Sequence, residues 1–275
     1  MPEGDSIFRA AATLHRALAG KPVVRFESVV PALTRVHEDH PLTAQSIEKV
    51  AAYGKHLLMY FSGGLVLRTH MRMNGSWHIY RLGERWRRPN RDMRIVVATA
   101  DFEAVGFSIP VAEFIKSKDL GKHRELSTLG PDVLGDTFNR DEAISRIRAR
   151  PSSAIADVLL NQRVLAGLGN VYKSEILFMC RVNPFTLVSA LDVSTIACLV
   201  DTAQKLLYAN VATPLAPMTT YTGYRRTTRR DDPSQRLWVY GRARLPCRRC
   251  ETPIEISKQG TDARLTYWCP RCQAS

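Results

Sequence analysis

Nowhere in the 275 residues do about 18 apolar side chains run together, so no membrane-spanning helix is expected. The opening Met1-Pro2-Glu3-Gly4-Asp5 carries two acids and no basic run ahead of an apolar stretch, so it does not read as a secretory signal. A cytosolic protein without membrane contact is expected. Internal repeats are also absent. Acidic charge is the scarce sign: 26 Asp and Glu stand against 39 Lys and Arg, for a net charge of +13. Such a surplus points to a polyanionic partner, nucleic acid ahead of a membrane surface, although a solubilising surface gives the same balance. Cysteine is sparse too, at six residues, and its placement argues against three disulfides.

Four of the six lie in the last 29 residues as Cys247-x2-Cys250 and Cys269-x2-Cys272, with 18 residues between the pairs. Two such knuckles facing each other make a tetrahedral Zn²⁺ site. Four thiolates close every coordination position, so no metal-bound water is left to activate and the ion is structural. In so small a module the metal supplies folding energy on the order of 10 kcal/mol. Zinc ribbons serve many protein classes, so the site alone names no activity. Cys180 and Cys198 stand singly in apolar helical segments and read as core residues.

The length exceeds the usual single domain of roughly 100–200 residues, so more than one domain is expected. Residues 5–19 read as a helix, with Ile7, Ala11, Leu14 and Leu18 on one face, Arg9 and Arg16 elsewhere, and Gly20 as the stop. From Val23 to about Ala104 short strand-like runs follow: Val23–Phe26, Ile47–Ala52, Leu57–Phe61, Leu65–Arg68, Ser76–Tyr80 and Arg94–Ala98. Gly63-Gly64 is a hairpin signal, and the close spacing suggests a β-sandwich or barrel. Beyond Leu129-Gly130-Pro131-Asp132, residues 140–150, 152–162, 170–180 and 192–210 are helical by periodicity. The turn-rich, basic stretch 213–236 is predicted to be a mobile loop.

Two further features are weak taken singly. Gly167-Leu168-Gly169-Asn170 joins two helices, and the second offers free N–H groups and a positive dipole end to a phosphate. By itself Gly-x-Gly reads as a plain helical hairpin. The small Pro2 favours removal of Met1, leaving a secondary amine as the first residue. A helix starting just after it would favour the neutral amine, the form that attacks an electrophilic carbon to give an imine, and Glu3 beside it could donate a proton.

Six collinear motifs carry a family resemblance: Met1-Pro2-Glu3-Gly4-Asp5, Gly54-Lys55-His56-Leu57, His70-Met71-Arg72-Met73-Asn74-Gly75, Leu129-Gly130-Pro131-Asp132, Gly167-Leu168-Gly169-Asn170, and Arg264-Leu265-Thr266-Tyr267-Trp268-Cys269-Pro270-Arg271-Cys272. The chain resembles the formamidopyrimidine-DNA glycosylase and endonuclease VIII family end to end. Gly4 after Pro-Glu, and the Tyr-Trp-Cys-Pro-x-Cys-Gln ending, are more similar to the endonuclease VIII branch. The resemblance implies an α+β multidomain fold. Its parts are a β-sandwich-like N-terminal domain with an N-terminal helix (1–135), a helical DNA-binding domain with a helix–two-turn–helix motif (136–245), and a four-cysteine zinc-finger hairpin (246–275).

It also implies a bifunctional DNA glycosylase and abasic-site lyase of base excision repair, removing oxidised bases, pyrimidines foremost, through a proline imine and then β- and δ-elimination. Pro2 matches the nucleophile, Glu3 the proton donor, Lys55 the lysine of phosphate binding and β-elimination, and Arg264 the arginine of phosphate contact and δ-elimination. Asn170 matches the phosphate ligand of the two-turn motif. Met73 lies where the family inserts a side chain into the gap left by the everted nucleotide, a step that chemistry on a stacked base requires. His70, Arg72 and Thr128 are expected among the DNA-binding residues.

The implied partner is damaged double-stranded DNA lying in a cleft between domains. One structural zinc is the only cofactor, and the protein is expected as a cytoplasmic, nucleoid-associated monomer. Thr128 stands where the endonuclease VIII branch carries an arginine, and Arg72 where it carries glutamine, which leaves lesion and opposite-base selectivity open. Three other readings remain: formamidopyrimidine-type purine specificity, a damage-sensing protein that binds without cutting, and a zinc-ribbon factor for another nucleic acid. The last explains the charge and the cysteines but not the motifs at residues 2, 55 and 170.

Overall fold

The first helix, α1 (Gly4–Leu18), starts directly after Glu3, whose extended backbone is its N-cap. Its stripe of Ile7, Ala11, Leu14 and Leu18 is buried, as the periodicity predicts. Arg9, expected off that stripe, is nevertheless buried, because the first two turns are enclosed on a second side where Asp5 and Ser6 are buried as well. The computed structural model describes residues 2–212, 225–228 and 230–274. These fall into two units, 2–128 and 129–212 with 225–274.

In the first unit eight strands follow α1: β1 (Arg25–Ser28), β2 (Ile47–Tyr53), β3 (His56–Phe61), β4 (Leu65–His70), β5 (Ser76–Arg81), β6 (Met93–Ala98), β7 (Phe102–Phe107) and β8 (Val111–Lys116). They pair as two antiparallel four-stranded sheets, β2-β3-β4-β8 and β1-β6-β7-β5. Leu57, Met59 and Leu67 of one sheet and Trp77, Ile95 and Val97 of the other share one buried cluster with Ile7, Leu14 and Leu18 of α1. This is the expected β-sandwich. Each such Leu or Ile contributes about 1.5–3 kcal/mol by leaving water. The strands run on past Ala104 to Lys116, and a helix not foreseen, α2 (Pro31–Asp39), interrupts them. Pro31 opens α2 at a position where its missing N–H costs nothing, but only Leu33 is buried, too thin an apolar signal to read as a helix. A short helix, α3 (Arg124–Ser127), ends this unit.

The second unit holds α4 (Arg140–Arg148), α5 (Ile155–Leu160), α6 (Asn170–Met179), α7 (Val193–Val211), and the hairpin β9 (Glu255–Gln259) with β10 (Arg264–Trp268). Asn139 and Asp192 cap α4 and α7 by accepting the Glu142 and Thr195 amides at 2.9 and 2.7 Å. Between α5 and α6 the two turns are held by one side chain. Gln162 Nε2 donates to the Leu160 and Leu168 carbonyls at 2.8 and 2.9 Å, and its Oε1 accepts the Gly167 amide at 3.2 Å. Gly167 takes a left-handed φ of 96°. A Cβ on Gly130 would sit 2.4 Å from the Val164 carbonyl, so Leu129-Gly130-Pro131-Asp132 closes against these turns only as glycine.

Cys198 corrects its expectation: it is exposed, because the buried stripe of α7 runs through Ile196, Leu199, Val200, Ala203, Leu206 and Leu207 and misses it. The stretch expected to be a mobile loop lies largely outside the described residues at 213–224 and 229.

Candidate active site and zinc centre

Pro2 is half-buried, one residue ahead of the N-cap of a 15-residue helix. Glu3 is fully buried. Its amide donates to Ser6 Oγ at 3.2 Å, and its carbonyl accepts the Ser6 and Ile7 amides at 3.0 and 3.1 Å, so α1 fixes the position of both residues. The secondary amine that would remain after loss of Met1 thus lies at the positive end of α1, which disfavours a charged ammonium there. Lys55 occupies the second place of a two-residue hairpin loop between β2 and β3. Gly54 takes the first with φ 57°, and Tyr53 pairs with His56.

Behind this turn lies a polar network, buried at Arg68 and His56 and open to solvent at its carboxylates, that the sequence did not reveal. The Arg68 guanidinium, 2% exposed, pairs with the carboxylates of Glu113 and Glu125. Arg68 Nε also donates to His56 Nδ1 at 3.2 Å. His123 Nε2 lies 3.1 Å from Glu113, and the His56 and His70 rings meet edge-on at 4.9 Å. Burial, reinforced by Arg68, His70, His123 and Lys55, lowers the His56 pKa to about 3. Burial and then Lys55, Arg68 and Arg72, opposed by Glu125, lower that of His70 to about 4. Both rings are therefore neutral acceptors. His70 uses Nδ1 to accept the Arg72 amide at 3.1 Å, which pins the loop where Arg72 takes a left-handed φ of 45°. On that loop Met71 is buried and Met73 is 62% exposed, free to project.

Lys55, His70 and Arg72 thus act on one network, and Met73 stands on the loop that His70 pins. Thr128 is elsewhere in its chemistry: it ends α3, its hydroxyl donating to the Arg124 carbonyl at 2.9 Å.

In the second unit Asn170 opens α6 and its Nδ2 donates to the Leu265 carbonyl of β10 at 2.6 Å. Arg264, the residue before, is about half exposed, with only a long 3.8 Å approach to Asp262. The amide of Asn170 therefore tethers the backbone that carries Arg264, while its Oδ1 is buried without a partner among the described residues. Two buried charges on α6 escaped the sequence reading. Lys173 Nζ donates to Thr266 Oγ1 at 2.7 Å. Glu175 accepts the Trp238, Val239 and Tyr240 amides at 2.8, 2.9 and 2.9 Å and the Thr227 hydroxyl. Burial pushes the Glu175 pKa up against these donors, which favour the carboxylate. Their signal was present in the sequence: a lysine and a glutamate inside an otherwise apolar helix.

The four sulfurs of Cys247, Cys250, Cys269 and Cys272 lie within 4.8 Å of one another. Zn–S bonds of about 2.3 Å in a tetrahedron separate sulfurs by about 3.8 Å. The Cys247–Cys272, Cys250–Cys269 and Cys250–Cys272 separations are 3.9, 3.4 and 3.4 Å. The Arg249 and Cys272 amides each point at a ligand sulfur at 3.4 Å, as the outer shell of a thiolate site requires. The set fits one structural zinc.

Residues 1–108 match the formamidopyrimidine-DNA glycosylase N-terminal domain, and 129–221 the formamidopyrimidine-DNA glycosylase H2TH domain. Residues 244–274 match the zinc finger found in that glycosylase and in isoleucyl-tRNA synthetase. The chain is 40% identical to the probable endonuclease 8 2 of Streptomyces coelicolor, covering 100% of this chain and 94% of that protein. It is 36% identical to the DNA-(apurinic or apyrimidinic site) lyase Nei2 of Mycolicibacterium smegmatis, covering 100% of both. The fold matches Lactococcus lactis Fpg in complex with abasic-site DNA, with a TM-score of 0.82 at 22% identity over 99% of this chain and 100% of that one.

Proposed function

The chain belongs to the formamidopyrimidine-DNA glycosylase and endonuclease VIII family, and on that premise we propose that it is a base-excision DNA glycosylase and abasic-site lyase acting on oxidised bases, pyrimidines foremost, in duplex DNA. One observation carries the chemistry: Pro2 sits at the start of α1 beside a fully buried Glu3. With Met1 removed, the neutral Pro2 nitrogen attacks C1′ of the everted nucleotide. The C1′–N bond to the base breaks, the departing base takes up the proton that the Pro2 nitrogen gives up, and the Glu3 carboxyl group protonates O4′ so that the sugar ring opens to the iminium. The resulting iminium acidifies C2′–H. Loss of that proton expels the 3′ phosphate, and a second elimination expels the 5′ phosphate. Water then releases Pro2.

Lys55 and Arg264 supply positive charge for the departing phosphates. Met73, exposed on a pinned loop, fills the vacated stack. The zinc hairpin, tied to α6 by Asn170, keeps Arg264 in place. DNA is the ligand that the +13 charge favours.

Borohydride in the presence of abasic duplex should trap one covalent adduct per chain. Pro2→Gly, which keeps an amine but changes its geometry, should trap far less. Equal trapping after acetylation of the mature N-terminus would sink the imine. A panel of defined oxidised pyrimidines and purines, with product sizing, decides the lesion class.

A further inference from the structure

Between β5 and β6 the chain concentrates its charge: residues 81–94 hold six arginines against two acids, four of the net thirteen positive charges. Nothing in the chemistry above uses them. A flexible solubilising loop would need no anchor, and this one has several. Trp86 packs edge-on against Phe107 at 5.7 Å and donates its indole N–H to Glu103. Around it Tyr80, Met93, Val96, Val105 and Phe107 form a hydrophobic cluster separate from the main core. The Arg87 amide donates to the Tyr80 hydroxyl at 3.1 Å, and the Arg81 amide to Glu84 at 3.1 Å. The loop is thus a rigid platform on which Arg85, Arg87 and Arg91 are exposed. Arg87 makes only a 3.7 Å approach to Glu84. Arginines held close together raise the local positive potential, which attracts an anion, and His78 registers their field: burial, then Arg88 and Arg87, lower its pKa to about 4.

The platform's position is set by Arg88. Its guanidinium pairs with Asp92 at 3.3 Å and donates to Ser76 Oγ at 3.3 Å. Ser76 begins β5, three residues after Met73. Three residues span at most about 11 Å, close to three base-pair steps of duplex at about 3.4 Å each.

We propose that residues 81–94 are a second DNA-backbone contact, in which Arg85, Arg87 and Arg91 hold phosphates of the duplex arm beside the lesion and Arg88 locks them to the strand that follows Met73. The inference rests on the reading of the protein as a DNA glycosylase, and supplies it with affinity that is independent of base identity. Planar guanidinium groups suit phosphate oxygens. Because the loop carries no catalytic group, it acts on binding and not on bond breaking.

The test compares the zinc-loaded parent with Arg85→Ala/Arg87→Ala/Arg91→Ala, titrating both with a long duplex that carries a reduced abasic site, at several salt concentrations. Each arginine that reaches a phosphate contributes about 0.9 to the slope of log Kd against log salt, hence about fivefold in Kd near 0.15 M salt. The triple variant should bind more weakly by at least tenfold, with a shallower slope, and undamaged duplex should show the same loss. The single-turnover rate at saturating enzyme should not change. Trimming the duplex to within about three base pairs of the lesion, one side at a time, should abolish the difference on one side only. Identical Kd and slope for parent and variant overturn the proposal, and leave the loop to solubility or to an acidic protein segment. A parent that binds no duplex at all overturns the glycosylase reading and this inference with it.

Discussion

Acidification should unfasten the first unit before it reaches any carboxylate, because two buried imidazoles must stay neutral. His56 and His70 have folded pKa values lowered to about 3 and about 4, by burial first. In the unfolded chain each returns to about 6.5. The unfolded state therefore binds more protons between those limits, and stability falls as pH falls through 6.5 toward the folded values. From pH 7.5 to 5.5 the loss is about 1.4 kcal/mol per ring, or about 2.7 kcal/mol for the pair, a large share of the 5–15 kcal/mol typical of a domain. His78 adds in the same direction, less strongly because its ring is more open to solvent.

The groups facing the pair are Lys55, Arg68, Arg72 and His123 against Glu113 and Glu125, so the cations prevail. Native-state hydrogen exchange of the full zinc-loaded chain, read at the amides of β3 and β4 and corrected for the intrinsic pH dependence, gives the stability directly. His56→Asn/His70→Asn keeps an acceptor near each Nδ1 but cannot titrate, so it should remove most of the slope. If parent and double variant show the same slope, or if the parent gains stability on acidification, the neutral-imidazole account is wrong.

Three other outcomes follow from single contacts. Cys247→Ser should abolish binding of about one zinc per chain and release the β9–β10 hairpin, lowering strand cleavage while β3 and β4 amides stay protected; metal analysis with hydrogen exchange checks both. Asn170→Ala, which loses the 2.6 Å bond to the Leu265 carbonyl, should weaken abasic-DNA affinity by roughly 1–3 kcal/mol, read as Kd. Glu175→Gln turns one of two accepting oxygens into a donor facing either the Val239 and Tyr240 amides or the Trp238 amide and the Thr227 hydroxyl, so unfolding of the second unit should come at least about 2 kcal/mol earlier in a urea titration.

What the sequence disclosed follows a physical rule, visible in particular residues. The stripe of α1 and the paired knuckles are local patterns, each readable within a few positions, whereas the caps Asn139 and Asp192 emerged only with the structure. Cys198 was misread because a phase error of one residue, about 100° around the helix, moves a side chain from core to solvent, as between Cys198 and the buried Leu199. The supports of the site are non-local. Arg68 finds Glu113 and Glu125 at separations of 45 and 57 residues, and Asn170 finds Leu265 at 95. No periodicity records such pairings; only a charge out of place inside an apolar strand or helix hints that one exists, as Arg68 does in β4 and Lys173 and Glu175 do in α6.

Asn170 shows why this matters for function. Its motif resemblance assigns the side chain to a phosphate, but one of its two amide hydrogens is already committed to the hairpin that carries Arg264. Loss of the side chain would therefore disturb a ligand and a tether together. Asn170→Asp challenges both roles at once. A carboxylate cannot donate to the Leu265 carbonyl and repels phosphate, so it should weaken DNA binding more than alanine does. Were aspartate to bind DNA as well as asparagine, neither role would stand.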